Sequence, residues 1–360
     1  MPTQATNTTS GNWRARYASE VYDKRGRHWR VELIDHKTTN AAASEFNLTG
    51  PSYTPHDVEL AEDGFTLQWD GPSDHVGSAL IPSSCEVTFA ITTSAMEPLV
   101  SVIKSSDDNR FGLAVYYDDG GTNWKPWWVG TLNHEAVEYE TKDRPYLVTV
   151  TASCGLNRLR NIEFNDSGSA YLQNLSFAEC IAICLNKLPT ADFWNSSETQ
   201  LNEIVDLFNT GQFTTAGLWN PSSDGQVFPQ SVLERTITAS AAFYEAKEPK
   251  EDEFGRRAHY PLNFNSCFDV LESVTVTLGA RMFLTRFGWW FVPMNAYNWS
   301  HQLQVNQWTR SQVSGESIAT QIVGGVNVDT ASTSTIQFEQ DLETTHALAD
   351  GWSNSYLLPV

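Results

Sequence analysis

Near the start of the chain, hydrophobic and polar residues alternate with a period of two. The alternation covers residues 13–21 and resumes over 29–33, and the segment 23–26 between them, Asp-Lys-Arg-Gly, has the composition of a turn. A period of two is typical of a β-strand with one buried face. The pattern therefore predicts a β-hairpin over residues 13–35, with an apolar face turned inward and a charged face turned outward.

The same alternation recurs through the first 160 residues. It predicts a second hairpin and three further strands, at 110–133, 65–69, 86–93 and 146–151. Short strands separated by turn residues are typical of an antiparallel barrel or sandwich.

After residue 170 the hydrophobic period lengthens to that of a helix. Ser176-Phe-Ala-Glu179 has the form of a capping box, and an apolar stripe follows it. Three more helices are predicted from apolar spacing, at 197–211, at Pro229–Tyr244 in irregular form, and at Ser266–Gly279. A tight hairpin is predicted directly after the last helix, over residues 281–293.

These elements predict an α+β chain that is mostly β. We expect an N-terminal antiparallel β-barrel over residues 1–165, an α/β domain over 166–300 that contains the helix–hairpin unit, and a β-rich segment over 301–360.

The chain is strongly acidic, with 23 Lys and Arg against 43 Asp and Glu and a net charge of −20. Proteins that grip nucleic acid or an anionic membrane need clustered cations, so both classes are disfavoured. Residues 1–40 are mildly basic, whereas no Lys or Arg follows Arg310. No apolar run is long enough for a membrane-spanning helix, and the polar N-terminus does not predict a secretory signal.

The five cysteines, Cys85, Cys154, Cys180, Cys184 and Cys267, are widely spread and odd in number. A disulfide framework is typical of smaller and more cysteine-dense secreted domains, so we expect reduced thiols that pack in the core. Cys180 and Cys184 have a spacing that places both on one helix face. A structural zinc site needs about four ligands, and no second pair accompanies them.

Searches for catalytic and metal-binding patterns find no phosphate-binding loop, dinucleotide fingerprint, zinc-protease motif or nucleophile elbow. His134-Glu135 with the acidic residues 138–140 is typical of a solvated turn, and Asp118-Asp-Gly-Gly121 lacks the spacing of a calcium loop. The sequence therefore predicts no catalytic residue, no metal ligand and no cofactor, and we expect the protein not to be an enzyme.

Tryptophan is abundant, with 13 residues. Trp124, Trp127 and Trp128 on one strand, and Trp289 and Trp290 on another, leave open a sugar-stacking platform and hence a carbohydrate-binding or glycan-active protein. Adjacent residues of a strand point to opposite faces. For each pair we therefore expect one indole in the core and the other at an interface.

Four stretches together resemble tailed-bacteriophage baseplate hub proteins, which are also called tail-tip or tail-associated proteins. They are Cys267–Val292, with a "C-x-x-V-L" helix, "G-A-R-x-F" and "G-x-W" hairpin; Tyr17–Asp35; Pro145–Ile162; and Val232–Tyr244. Cys154 departs from the pattern, which has an acidic or polar residue at that position.

The resemblance implies a homotrimer whose tube-like β-barrel domains make a pseudo-sixfold ring, adapting a hexameric tail tube to a threefold tip. Strands within 13–35 and 110–150 would pair with neighbouring subunits, the unit 266–293 would decorate the exterior, and 301–360 would belong to a second tube-like domain.

The implied function is to join the tail tube to the tail tip and to conduct DNA during ejection. Implied partners are tail-tube or distal tail proteins, spike or fibre proteins, and genome DNA that passes without specific binding, with no stable membrane insertion. The location would be the virion baseplate, after synthesis in the bacterial cytoplasm. An acidic or neutral lumen is expected, because it repels phosphate. A hexameric distal tail protein remains an alternative.

Overall fold

The structure is a computed structural model that describes residues 13–23, 26–36, 56–70, 78–92, 103, 109–118, 124–139, 143–171, 174–194, 199–206, 233, 236–246, 262–285, 288–293 and 303–309. This part is α+β and mostly β, as predicted. Its helices are α1 (Phe177–Asn186) and α2 (Cys267–Thr277). Its strands are β1 (Trp13–Tyr22), β2 (His28–His36), β3 (His56–Asp57), β4 (Glu59–Trp69), β5 (Leu80–Ile81), β6 (Ser83–Ile91), β7 (Phe111–Asp118), β8 (Trp124–Leu132), β9 (Glu138–Tyr139), β10 (Tyr146–Ser153), β11 (Asn174–Ser176), β12 (Thr199–Asp206), β13 (Ile237–Ala239), β14 (Tyr244–Ala246), β15 (Leu262–Phe264), β16 (Ala280–Thr285), β17 (Gly288–Pro293) and β18 (Leu303–Thr309).

The first sheet has the order β3-β1-β2-β7-β8-β10-β6-β4, and β9 pairs with β10. Both predicted hairpins are present, as β1–β2 and β7–β8. The two ends of the sheet lie close together. Val58, which lies between β3 and β4, donates its backbone N–H to the carbonyl of Ala18 in β1 at 3.1 Å. No pairing between β3 and β4 closes the ladder in the described residues, so the predicted closed barrel is not observed there.

Strand β2 is buried on both faces, which contradicts the predicted outward charged face. Arg30 is 2% exposed and Glu32 is 0% exposed, and the two form an ion pair with Nε 2.7 Å from Oε1. In β1 the guanidinium of Arg16 donates to Asp35 from Nε at 2.9 Å. Burial of charge is tolerated when each charge has a partner. Glu32 lies two residues from Arg30 on β2, whereas the partner of Arg16 lies on the neighbouring strand, and alternation alone does not predict that these charges are buried.

The second sheet has the order β18-β12-β17-β16-β5 and corrects the predicted helix over 197–211. Residues 199–206 form a strand instead, parallel to β17 and antiparallel to β18. The adjacent β-branched residues Ile204 and Val205 favour a strand, and pairing on both sides outweighs an apolar spacing that suits either structure. The predicted β character of 301–360 holds for β18, and residues 310–360 lie outside the described part.

The two predicted helix starts are confirmed. The Ser176 hydroxyl accepts from the backbone of Glu179 at 3.2 Å, and the Glu179 carboxylate accepts from the backbone of Ser176 at 2.6 Å, which completes the capping box of α1. Ser266 caps α2 by accepting from the backbone of Asp269 at 3.1 Å. The strands β16 and β17 follow α2 as the predicted hairpin.

The irregular helix predicted at Pro229–Tyr244 is not observed from residue 236 onward, although Leu233, the one other described residue of that range, is helical. Residues 237–239 form β13, which pairs with β11, and a single 3-10 turn at Ser240–Phe243 leads into β14. Pairing with β11 satisfies the backbone that a helix would otherwise have to satisfy internally.

One apolar core runs under both sheets and both helices, from Trp13 to Phe291. The sheets are joined by residues 80–91, since β5 pairs with β16 and β6 pairs with β4 and β10. The boundaries predicted at residues 165 and 300 remain predictions.

A 3-10 helix at Pro189–Phe193 docks the chain after α1 onto the first sheet. The Asp192 carboxylate accepts from Trp13 Nε1 at 2.8 Å and lies 2.7 Å from His36 Nε2. One side chain therefore connects this helix to the outer ends of β1 and β2.

Asp192→Ala is expected to lower the free energy of unfolding by about 2 kcal/mol, because it removes an acceptor shared by two donors, one of them on a fully buried indole. The measurement is urea unfolding followed by tryptophan fluorescence. Asp143→Ala, at an exposed position, is the control and should change stability by less than about 0.5 kcal/mol. Equal effects of the two variants would contradict the docking role of Asp192.

Candidate functional surface: the open face of the first sheet

The solvent-facing side of strands β4, β6 and β10 is the candidate functional surface. In β6 burial alternates strictly, with Cys85, Val87, Phe89 and Ile91 buried and the residues between them partly or fully exposed. In β10, Val148, Val150 and Ala152 are buried in the same way. The opposite side chains of these strands therefore meet solvent, and we call that surface the open face.

The open face is a regular array set by antiparallel register. Ser84 lies between Gln68 and Ser153, Glu86 between Thr66 and Thr151, and Ala90 between Glu59 and Leu147. Thr88 pairs with Thr149, and the two hydroxyls are 2.9 Å apart. The surface is therefore dominated by hydroxyl groups, with β-branched threonines that suit a half-exposed strand.

Every ionised group at the strand positions of the open face is a carboxylate. Glu59 and Glu86 lie on β4 and β6, and Glu138 of β9 pairs with Thr149 on the same face. None of these described positions holds Lys or Arg. A surface of this kind repels phosphate, and it offers no cation whose contact with DNA would release counterions.

The cations in the described residues are engaged elsewhere. Arg27 pairs with Asp23, Arg110 with Asp35, and Arg158 donates to the Thr131 hydroxyl at 3.1 Å. Each remaining Lys or Arg of the described residues also has an intramolecular partner. The acidity of the open face is therefore not offset by unengaged cations from this part of the chain.

The tryptophans of β8 do not form the sugar platform that the sequence left open. Trp128 is 0% exposed and Trp127 is 3% exposed. A bulge between Val115 and Tyr116 makes Trp127 an extra residue in the ladder, and its ring packs on Trp29 at 5.4 Å. The expectation that one of these two indoles lies at an interface is therefore wrong, because the bulge lets both enter the core.

In the second sheet, Trp289 is buried and Trp290 is half-buried. This pair follows the predicted alternation.

Among the described residues, the other candidate groups of the sequence do not assemble into a chemical site. His134 and Glu135 lie in a short 3-10 helix capped by Asn133, whose side chain accepts from the Glu135 backbone at 3.2 Å. Asp118 lies 3.4 Å from His28, and residues 119–123 and 140 fall outside the described part. Among the described residues no group of three or more His, Cys, Asp or Glu side chains could hold a metal ion.

Cys180 and Cys184 are buried in α1, as are the other three cysteines in their own elements. This agrees with the prediction that they pack in the core. Among the described helices, none is long and apolar enough to cross a membrane.

The open face itself was missed by sequence reasoning, although a signal was present. Threonine alternates with valine in β10, at Thr149 and Thr151, and Thr88 and Thr66 repeat the pattern in β6 and β4. A period of two in hydroxyl groups marks a solvated strand face as clearly as a period of two in charges.

Trp128→Ala is expected to destabilise the protein by about 3–5 kcal/mol, because a fully buried indole leaves a cavity and the Ser83 hydroxyl loses the donor 2.9 Å away. Trp124→Ala, at a half-buried position on the same strand, should cost about 1–2 kcal/mol. Chemical denaturation of both variants measures the difference. Comparable losses, or a Trp128 variant that is stable but has lost glycan binding, would contradict the structural role.

The comparisons with known proteins include a weak structural likeness to a phage tail protein. No family model matches the chain, and no curated protein matches it. A solved structure described as the 43 kDa tail protein of prophage MuSo2 from Shewanella oneidensis aligns over 65% of this chain, with 10% sequence identity and a TM-score of 0.26. The chain spans about half of that protein, 52% of its length. An alignment at that TM-score does not establish a shared fold.

Proposed function

We propose that the chain is a structural protein of a bacteriophage tail, and specifically a baseplate hub that joins the tail tube to the tip and conducts DNA. The observation that carries the proposal is the open face, a solvated surface of hydroxyl and carboxylate groups on a sheet that is otherwise largely buried. The resemblance of four stretches of the sequence to hub proteins supplies the class of protein.

The elements found at those stretches support the proposal. Residues 17–35 form the β1–β2 hairpin, and residues 145–162 form β10 with a following 3-10 helix at Leu156–Asn161. Residues 267–292 form a helix followed directly by a hairpin. At these three of the four stretches, the types of element agree with what the resemblance implies, whereas the closed barrel that it also implies is not observed in the described residues.

Cys154, where the chain departs from the hub pattern, has a physical explanation. Its sulfur accepts a hydrogen bond from the Ser83 backbone at 3.2 Å. A polar residue at this position would supply an acceptor, and a thiol can fill the same role as a weaker one.

The chemistry of the open face suits a channel lining. DNA carries one charge per ~1.7 Å of helix axis, so even a few unpaired cations in a lumen would hold it through counterion release. Carboxylates and hydroxyl groups give no such attraction. We therefore place the open face toward the passing DNA, and the first sheet would act as the tube-like domain of the ring.

The symmetry of the protein in its particle tests the hub assignment. The measurement is a cryo-electron microscopy reconstruction of virions or isolated tails, with this chain located by fitting the two described sheets. Threefold density at the junction of tube and tip is expected. Sixfold density would instead support a hexameric distal tail protein, and absence of the chain from the tail would overturn the whole proposal.

The lining assignment is tested by adding cations. The triple variant Thr66→Lys, Thr88→Lys and Thr151→Lys places three charges on the open face, and DNA ejection from particles that carry it should be several-fold slower at low salt. Added salt should restore the rate, because each contact with phosphate weakens steeply as salt rises. The measurement is DNA release over time from particles whose tails look normal by electron microscopy.

The matched control adds the same charge to exposed positions of α2, through Ser273→Lys, Val276→Lys and Thr277→Lys. Ejection should then keep its normal rate and salt dependence. If the control slows ejection as much as the open-face variant, or if neither does, the open face does not line the channel. Where the triple variant does not assemble, Thr88→Lys alone provides the same comparison with Val276→Lys.

A further inference from the structure

We draw no further inference here: the strongest candidate, the cross-strand row of Tyr22, His28, Asp118 and Trp124 at the shared end of strands β1, β2, β7 and β8, carries none, because only Tyr22 among the four is exposed and nothing in the structure shows what covers it.

Discussion

The fold depends on the buried crossing at Ser83, where the chain leaves one sheet and enters the other. Ser83 is 1% exposed. Its N–H donates to the Cys154 sulfur at 3.2 Å, its carbonyl accepts from the Cys154 backbone at 2.9 Å, and its hydroxyl accepts from Trp128 Nε1 at 2.9 Å. A buried backbone group without a partner is costly, so a crossing inside the core requires such partners. These hydrogen-bond partners allow β5 to pair within the second sheet and β6 within the first, so that one apolar core extends under both sheets.

The first sheet has two kinds of surface, which differ in whether the charged side chains are buried with a partner or exposed to solvent. On β1 and β2 the charged side chains are covered, and they are tolerated because Arg16 meets Asp35 and Arg30 meets Glu32. On β4, β6 and β10 the outward positions stay solvated and carry hydroxyl groups and carboxylates. Each Lys and Arg of the described residues has an intramolecular partner, and the charged groups at the described outward positions of β4, β6 and β10 are all carboxylates. This separation links the packing of the sheet to the proposed passage of DNA, because it removes groups that would bind phosphate.

Chemically identical thiols differ in their surroundings, although burial acts on all of them in the same direction. Around Cys85 and Cys154 the apolar core disfavours the charged form, so these side chains act as packing groups and, for Cys154, as a weak acceptor. At the start of α2, the neighbouring Cys184 thiol and the charge of Lys187 lower the pKa of Cys267, and burial opposes them. The cysteine count of the sequence gave no sign of this difference, since it arises from the contact between two helices that are far apart in the chain.

The sequence by itself determined those features that depend on neighbouring residues. Both hairpins of the first sheet, the capping box at Ser176, the helix that begins at Ser266 and the hairpin that follows that helix depend on local periodicity and capping, and all were predicted. Tertiary structure alone decided features that depend on distant partners. Residues 199–206 became a strand because β17 and β18 flank it, Trp127 entered the core through a bulge against β7, and the polar side of β2 was buried. The open face is intermediate, because its alternating threonines and its lack of Lys and Arg are visible in the sequence, whereas the register that joins these strands into one face is set by pairing across the sheet. Pairing free energies between residues far apart exceed local preferences of a few tenths of a kcal/mol per residue, and periodicity alone does not reveal them.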